Sequence, residues 1–526
     1  MDTKALRQKV LDLAIRGKLV PQDPSDEPAS VLLERIRQQK QQMVKEGKLK
    51  AKDIKNDTII FVGEDNLHYE KFTDGSVKCI EDDIPFELPK GWAWERLSNL
   101  ATFSGGKTPS TSRREYWDGE VLWVTSKDMK SKYITSSQLR LSVLGAEQMQ
   151  IYQPDTLLLV TRSGILRHTL PIAILKECAT VNQDLKAIVL YMPELAEYVY
   201  VCLKGMESQL LLKYTKSGTT VENVNFDEFQ KVLLPIAPFQ EIRKIIEATS
   251  EATIVVSSIE DEKAAMAEYI VKAKAKILDL AIRGQLVSQD PTDEPASVLL
   301  EQIRAEKEEL VQQGKIKRDK KESVIFRGED NSYYEKMADG KIHCLDDLLP
   351  FELPDGWEWC NLSMIGTTNI GLTYRPTDIE PDGVIVLRSC NIVNEQIDLS
   401  DLVRVKTTIR DNQYVQKNDI LICARNGSRA LVGKCALISD FGEAASFGAF
   451  MAIYRTEYFE YIVHYLRSSF FRSVFDDSNS TAINQLTQDM LKRAIVPFPP
   501  LSEQHRIAET IEAMLIELNQ MQKSLN

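Results

Sequence analysis

Three groups of residues in this 526-residue chain have types that could do chemistry. Gly106-Lys107-Thr108 has the ending of a phosphate-binding loop, GxxxxGK[ST], but the first glycine of that pattern falls on Ala101 and Pro109 blocks the helix that must follow. Glu81, Asp82, Asp83 and Glu87 with Lys90 are what a nuclease would use to hold Mg2+. A second copy of the segment has Asp355 in place of Lys90, so a solvated acidic loop is the better reading. The five histidines (His68, His168, His343, His464, His505) have no GxSxG elbow beside them and read as surface or helix residues. An amino-methyltransferase would need an (N/D)PP(Y/F) loop, and the proline pair here is Pro499-Pro500. No catalytic, metal-binding or cofactor-binding residue is therefore assigned, and no S-adenosylmethionine site is expected in this chain.

What remains is the chemistry of DNA contact, in which arginine and lysine reach phosphates and guanine while asparagine and glutamine reach adenine. Candidates in the first half are Lys107, Arg113, Arg114, Ser126, Lys127, Arg162, Arg167 and Gln183. Those in the second half are Arg375, Arg388, Asn391, Arg425, Asn426, Arg429 and Lys434. Arg162-Ser163-Gly164 and Arg425-Asn426-Gly427 take like places, each just after an apolar run opened by Asp155 or Asp419. For any one of these, a surface ion pair or a solvated side chain is the competing reading. The net charge of −12 argues against a basic DNA footprint. Charge is segregated, however: Leu402 to Cys435 holds seven Lys or Arg and two Asp, a local balance of +5.

The elements that must position these residues are written twice. Lys9 to Arg37 and Lys276 to Arg304 differ at five of 29 positions. The match continues through Gly63-Glu64-Asp65-Asn66 and Gly328-Glu329-Asp330-Asn331, and through the hairpin signals Asp74-Gly75 and Asp339-Gly340. It reaches PFELPKGWAW (Pro85 to Trp94) and PFELPDGWEW (Pro350 to Trp359), then lapses, and returns at Thr219/Thr481, Pro235/Pro497 and Glu241/Glu503. Like frames thus enclose unlike contents, as in two modules that read different targets; drift in surface loops is the alternative. Inside each module, short β-branched runs such as Val121 to Thr125, Thr156 to Thr161, Gly383 to Leu387 and Asp419 to Cys423 alternate with helical patches.

Between Pro238 and Gly284 no proline or glycine interrupts the chain, which predicts one long helix. Its apolar seam follows a heptad through Ile242, Ile245, Val256, Ile259, Met266, Ile270, Ile277 and Leu280, with Thr249 and Lys263 as polar register sites. The C-terminal stretch repeats it with Ile507, Ile511, Met514, Leu518, Met521 and Leu525. In repeat coordinates Asn526 maps to position 264 and Met1 to 268, so the termini nearly abut. The expected fold is α+β: two tandem modules with mixed β-sheet and helices, joined by long antiparallel coiled-coil helices in a pseudo-twofold, circular arrangement. A dimerisation coiled coil is the plainer alternative for the helices. The charged N-terminus lacks the apolar core of a secretion signal, and Arg162, Arg167 and Pro171 break the greasiest stretch. Eight scattered cysteines without CxxC read as reduced thiols, so a cytoplasmic, non-membrane protein is expected.

These residues carry a resemblance. GWAW and GWEW, SGGKTPS (Ser104 to Ser110), WVTSKDM (Trp123 to Met129), INQLTQDML (Ile483 to Leu491) and VPFPPLSEQHRI (Val496 to Ile507) resemble the specificity (S) subunit of a type I restriction-modification system. The first copy departs at the last motif, reading LPIAPFQEIRKI, with Ile242 where the second copy has Gln504. The resemblance implies two target recognition domains, each reading half of a split site in double-stranded DNA. It implies two methyltransferase (M) subunits docked on the helices, restriction/translocase (R) subunits joined through them, and catalysis in those partners with S-adenosylmethionine, ATP and Mg2+. The expected division is helical region 1–56, hairpin 57–83, recognition domain 84–234, helical spacer 235–322, hairpin 323–348, recognition domain 349–496 and C-terminal helix 497–526. An enzyme with an unrecognised site and a structural adaptor stand as the competing functions.

Overall fold

The computed structural model describes residues 2–216, 221–318, 322–476 and 485–525. Ile483 and Asn484 of the INQLTQDML motif, and the matched pair Thr219/Thr481, lie outside the described residues. The chain divides into two compact units, Met1–Glu262 and Lys263–Asn526, with the division falling inside one helix, Phe239–Ile282.

In the first unit, helices Thr3–Ile15 and Ala29–Lys45 precede a three-stranded antiparallel meander of Ile59–Val62, His68–Lys71 and Val77–Cys79. The Asp74-Gly75 signal falls on the turn between its second and third strands, where Phe72 N donates to Ser76 O at 2.9 Å. The module is then closed by pairing its first strand, Ala93–Arg96, antiparallel with its last, Leu233–Ile236. Between them lies a five-stranded sheet in the order Ala101–Gly105, Leu185–Leu190, Leu157–Val160, Ile172–Leu175, Tyr133–Ile134. A three-stranded sheet of Ala179–Val181, Trp117–Val124 and Leu139–Leu141 packs beside it. Both sheets mix parallel and antiparallel pairs.

The central strand explains the continuous apolar run in the sequence. Leu157 and Leu159 face the helix Ala196–Gly205, in one core with Tyr198 and Cys202, while Leu158 and Val160 face the second sheet, in a core with Val124 and Val181. A strand covered on both faces has no use for polar alternation. Each fully buried leucine contributes about 1.5–3 kcal/mol of apolar transfer.

The second unit repeats the order. Helix Ala296–Gln312 leads to a meander of Ser323–Arg327, Tyr333–Met337 and Ile342–Cys344, and Glu358–Asn361 pairs with Ile495–Phe498. Its main sheet has four strands, Thr367–Ile370, Met451–Arg455, Ile420–Cys423 and Cys435–Leu437, and its second sheet is Val403–Val405, Ile379–Leu387 and Ala445–Phe447. Again the central strand alternates, Ile420 and Ile422 toward the helix Phe459–Arg467, Leu421 and Cys423 toward the second sheet.

The long helix is continuous over 44 residues. In the first unit Ile242, Ile245 and Val256 are buried on it and Ile259 half-buried. Arg7 bonds Glu260 at 2.7 Å and Lys244 lies 3.5 Å from Asp26, so Thr3–Ile15 runs antiparallel to it. In the second unit Ile270, Ile277 and Ile511 are buried, and Leu280 and Leu518 half-buried. There Lys274 donates to Asn519 at 2.7 Å while Gln289 reaches Glu503 at 3.4 Å, so the helix Leu501–Leu525 is also antiparallel to its neighbour. Two details depart from the sequence reading. Met266, Met514 and Met521 lie exposed although they fall on the heptad. The Thr249 hydroxyl donates to Ile245 O of its own helix at 2.7 Å and sets no cross-helix register. No helix among the described residues is long and apolar enough to cross a membrane.

Candidate nucleic-acid interface

Each module is held in its frame by one tryptophan. Trp92 donates its indole N–H to Glu241 Oε2 at 3.0 Å, and Trp357 donates to Glu503 Oε2 at 2.9 Å. Burial holds both carboxyls above the ordinary glutamate range, although the indole bond opposes the shift. Each tryptophan packs on a helix end that turns through a left-handed glycine, Gly17 (φ 62°) or Gly284 (φ 67°). A Cβ there would come within 2.6 Å of Pro89 or 2.4 Å of Pro354. Gly91 O accepts from Ala29 N, and Gly356 O from Ala296 N, both at 2.8 Å, so the GW motif also caps the next helix. Gly17, Pro89, Gly91, Trp92 and Glu241 are thus the parts of one joint, and Gly284, Pro354, Gly356, Trp357 and Glu503 build it a second time.

The loop that resembled a phosphate cradle has a packing role. A Cβ on Gly106 would lie 2.0 Å from Val181 O, and one on Gly371, its counterpart, 2.2 Å from Phe447 O. Both glycines let the chain cross a neighbouring strand. Lys107 is exposed at the exit of that crossing, with its carbonyl accepting from Trp123 Nε1 at 3.2 Å. Thr108 bonds Gln183, an exposed residue, so the two loops meet. Arg113 and Arg114 are exposed on the next loop, and Arg113 donates to Tyr116 Oη at 2.8 Å. Ser126 and Lys127 form the turn after Trp117–Val124, half-buried and exposed respectively. Arg162 is exposed, whereas Arg167 bonds the buried Glu222 at 2.8 Å.

In the second unit Arg375, Arg425 and Arg429 are exposed and Asn426 and Lys434 half-buried. Asn426 Nδ2 donates to Ser389 Oγ at 3.3 Å, and its Oδ1 accepts from Ser428 N at 3.0 Å. Two expectations change here. Asn391 is 1% exposed, donates to Asp398 O and Asp401 O at 3.0 and 2.8 Å, and accepts from Arg388 N, so its carboxamide is buried and shapes a loop. Arg388 pairs with Asp401 at 3.0 Å. The basic run from Leu402 to Cys435 is also diluted by folding: Arg404 pairs with Glu443 at 2.8 Å, and Lys406 lies 3.4 Å from Glu380 and 3.6 Å from Asp382.

In the acidic cluster, Glu81 accepts from His68 N and Nδ1, both at 2.8 Å. His464 lies inside the helix Phe459–Arg467, where burial drives its imidazole down to about 3 and keeps it neutral. All eight cysteines are free thiols.

A family model described as the type I restriction modification DNA specificity domain matches residues 89–264 and again residues 354–525. The chain belongs to that family. With one match in each unit, the specificity subunit carries two recognition modules. It is 25% identical to the EcoAI specificity subunit of Escherichia coli, over 98% of its own length and 90% of that protein's. It is also 25% identical to the Escherichia coli EcoEI specificity subunit, over 99% of its length and 90% of that protein's. A chain from a solved type I R-M system covers 84% of it, and 94% of that chain, at 15% identity with a TM-score of 0.49. Sequence reasoning missed Asn223 and Gln485, which pair across antiparallel bridges with Arg162 and Arg425. Gln485 stands in the INQLTQDML motif, whereas no motif marks Asn223 in the sequence.

Proposed function

We propose that this specificity subunit reads a two-part site in double-stranded DNA, one module per half-site, and takes no catalytic part itself. The observation that carries the reading is the pair of like joints, Trp92–Glu241 and Trp357–Glu503, around unlike modules whose main sheets have five and four strands. The contacts fall to Lys107, Arg113, Arg114, Ser126, Lys127, Arg162 and Gln183 in one module. In the other they fall to Arg375, Arg425, Asn426, Arg429 and Lys434. Arg167 and Arg388 are held by carboxylates and serve to shape their loops. The chain works in the cytoplasm, beside its DNA.

Methylation and restriction reside in partner subunits that bring S-adenosylmethionine, ATP and Mg2+. Two methyltransferase subunits dock on the helical frame, one per unit, and restriction/translocase subunits join through them. Exposed apolar residues on the long helix support this docking: Ile254 and Val255 in the first unit, Tyr269 and Val271 in the second. A complex mass with one methyltransferase copy at saturation overturns the stoichiometry.

The deciding experiment exchanges the segment Trp92 to Leu234 for that of another family member and sequences the methylated sites. One half of the site should change while the other half and the gap stay fixed. A change in both halves refutes independent reading.

A further inference from the structure

In each unit an exposed arginine lies directly opposite an exposed carboxamide on an antiparallel bridge: Arg162 opposite Asn223, and Arg425 opposite Gln485. Residues so opposed put their side chains on the same face. The two pairs occupy the same place in their modules. Each arginine lies just beyond the buried central strand, Leu157–Val160 or Ile420–Cys423, and each carboxamide just before a short helix, Phe226–Phe229 or Gln488–Arg493. The adjoining strand connection repeats too, with Thr161 N donating to Asp184 O at 2.8 Å and Ala424 N to Phe450 O at 2.9 Å.

What surrounds the pairs differs. The residue beside the arginine is Asp184 in the first module and Phe450 in the second, where the Arg425 guanidinium lies 5.6 Å from the ring centroid. Arg425, Gln485 and Phe450 line one open cavity of about 240 Å³. Arg167 and Arg388 are held by Glu222 and Asp401, whereas neither bridge arginine has a carboxylate partner among the described residues.

A feature kept in both modules while their surroundings diverge serves what all targets share, and every duplex shares its sugar-phosphate backbone. Guanidinium and primary amide groups both donate to phosphate oxygens, the former with its full charge. We propose that Arg162–Asn223 and Arg425–Gln485 are phosphate clamps that set the register of each module on DNA. Sequence reading is left to the neighbours that differ. The clamp rests on the DNA-reading function proposed above and deepens it.

The test uses the full chain assembled with its methyltransferase partners. Binding of R162A, N223A, R425A, Q485A and R425K is measured on a duplex carrying the methylated sequence and on an unrelated duplex, across a range of salt. Each alanine variant should weaken binding to both duplexes by the same factor. For the arginine variants the slope of log K against log salt should fall in magnitude by about 0.9 for each phosphate that is no longer neutralised. R425K, which keeps the charge but not the planar fork, should keep the slope and lose part of the affinity. Methylated sites mapped in cells should keep their sequence. An R425A variant that keeps its salt slope and relaxes one base of the site overturns the clamp in favour of a base contact. Unchanged affinity and slope in both arginine variants overturn any role in binding. If the wild-type complex itself fails to distinguish the two duplexes, the DNA-reading function falls, and the clamp with it.

Discussion

Trp92 and Glu241 are 149 positions apart, and the bond between them ties the entry of the first module to the start of the long helix. Replacing Trp92 by phenylalanine keeps most of the apolar ring but removes the donor, so a buried carboxylate oxygen loses its partner. W92F should cost about 1–3 kcal/mol in denaturant unfolding of the full chain, and W357F a similar amount. The carboxyl itself gives a second test. Because burial raises the folded-state value of Glu241, the protonated form favours folding: that stabilisation is full below the ordinary glutamate range and is lost as pH rises through the raised value. Glutamine at this position keeps a carbonyl acceptor for Trp92 and buries no charge. E241Q should melt above the wild type near neutral pH, with the difference shrinking as pH falls below the glutamate range. A difference that grows toward low pH would show the sign to be wrong.

Among the elements, the ends of the duplicated helices are the most tightly specified. Lys18 N donates to Leu13 O at 2.8 Å and Gly17 N to Ala14 O at 3.2 Å; Gln285 N and Gly284 N repeat this with Leu280 O at 2.8 Å and Ala281 O at 3.1 Å. This double closure requires a left-handed residue, and glycine supplies it without strain. Here the space is also taken, since Pro89 and the Trp92 ring, 3.0 Å from a built Cβ, fill it. G17A should therefore destabilise by at least about 1–3 kcal/mol, from backbone strain and from displacement of the GW loop together. A shift of the unfolding midpoint within error of the wild type would show that the joint yields. The long helix is specified differently, by a buried apolar stripe at heptad spacing in each unit, Ile242, Ile245 and Val256 in one, Ile270 and Ile277 in the other.

For the whole molecule, the long helix is the covalent element that passes from one unit to the next. The number of unread base pairs between half-sites should depend on its length. Inserting four residues near Ala264 lengthens a continuous helix by about 6 Å at 1.5 Å per residue. Duplex DNA rises about 3.4 Å per base pair. Methylated sites of the insertion variant should keep both half-sequences and gain roughly one or two base pairs between them. The insertion also rotates one module about the helix axis, so weaker binding is expected alongside. An active variant with an unchanged gap shows that the modules fix the spacing.

Much of this organisation is local and was legible in the residues alone. The repeat is a matter of sequence identity, the uninterrupted run from Pro238 to Gly284 gives the helix that spans Phe239–Ile282, and the apolar runs give the central strands. Tertiary structure decided which polar residues are available. Asn391, Arg388 and Arg167 look like surface contacts in sequence, yet each meets its partner across a fold: Asp401 for the first two, Glu222 for the third. The surplus charge of Leu402 to Cys435 is countered by Glu380, Asp382 and Glu443, which lie outside that run. Arg162 meets Asn223, and Arg425 meets Gln485, only because segments far apart in sequence pair. Propensity and periodicity act over a few residues, whereas ion pairing and burial depend on chain segments brought together by a core, so the frame could be read along the chain and the candidate interface only in three dimensions.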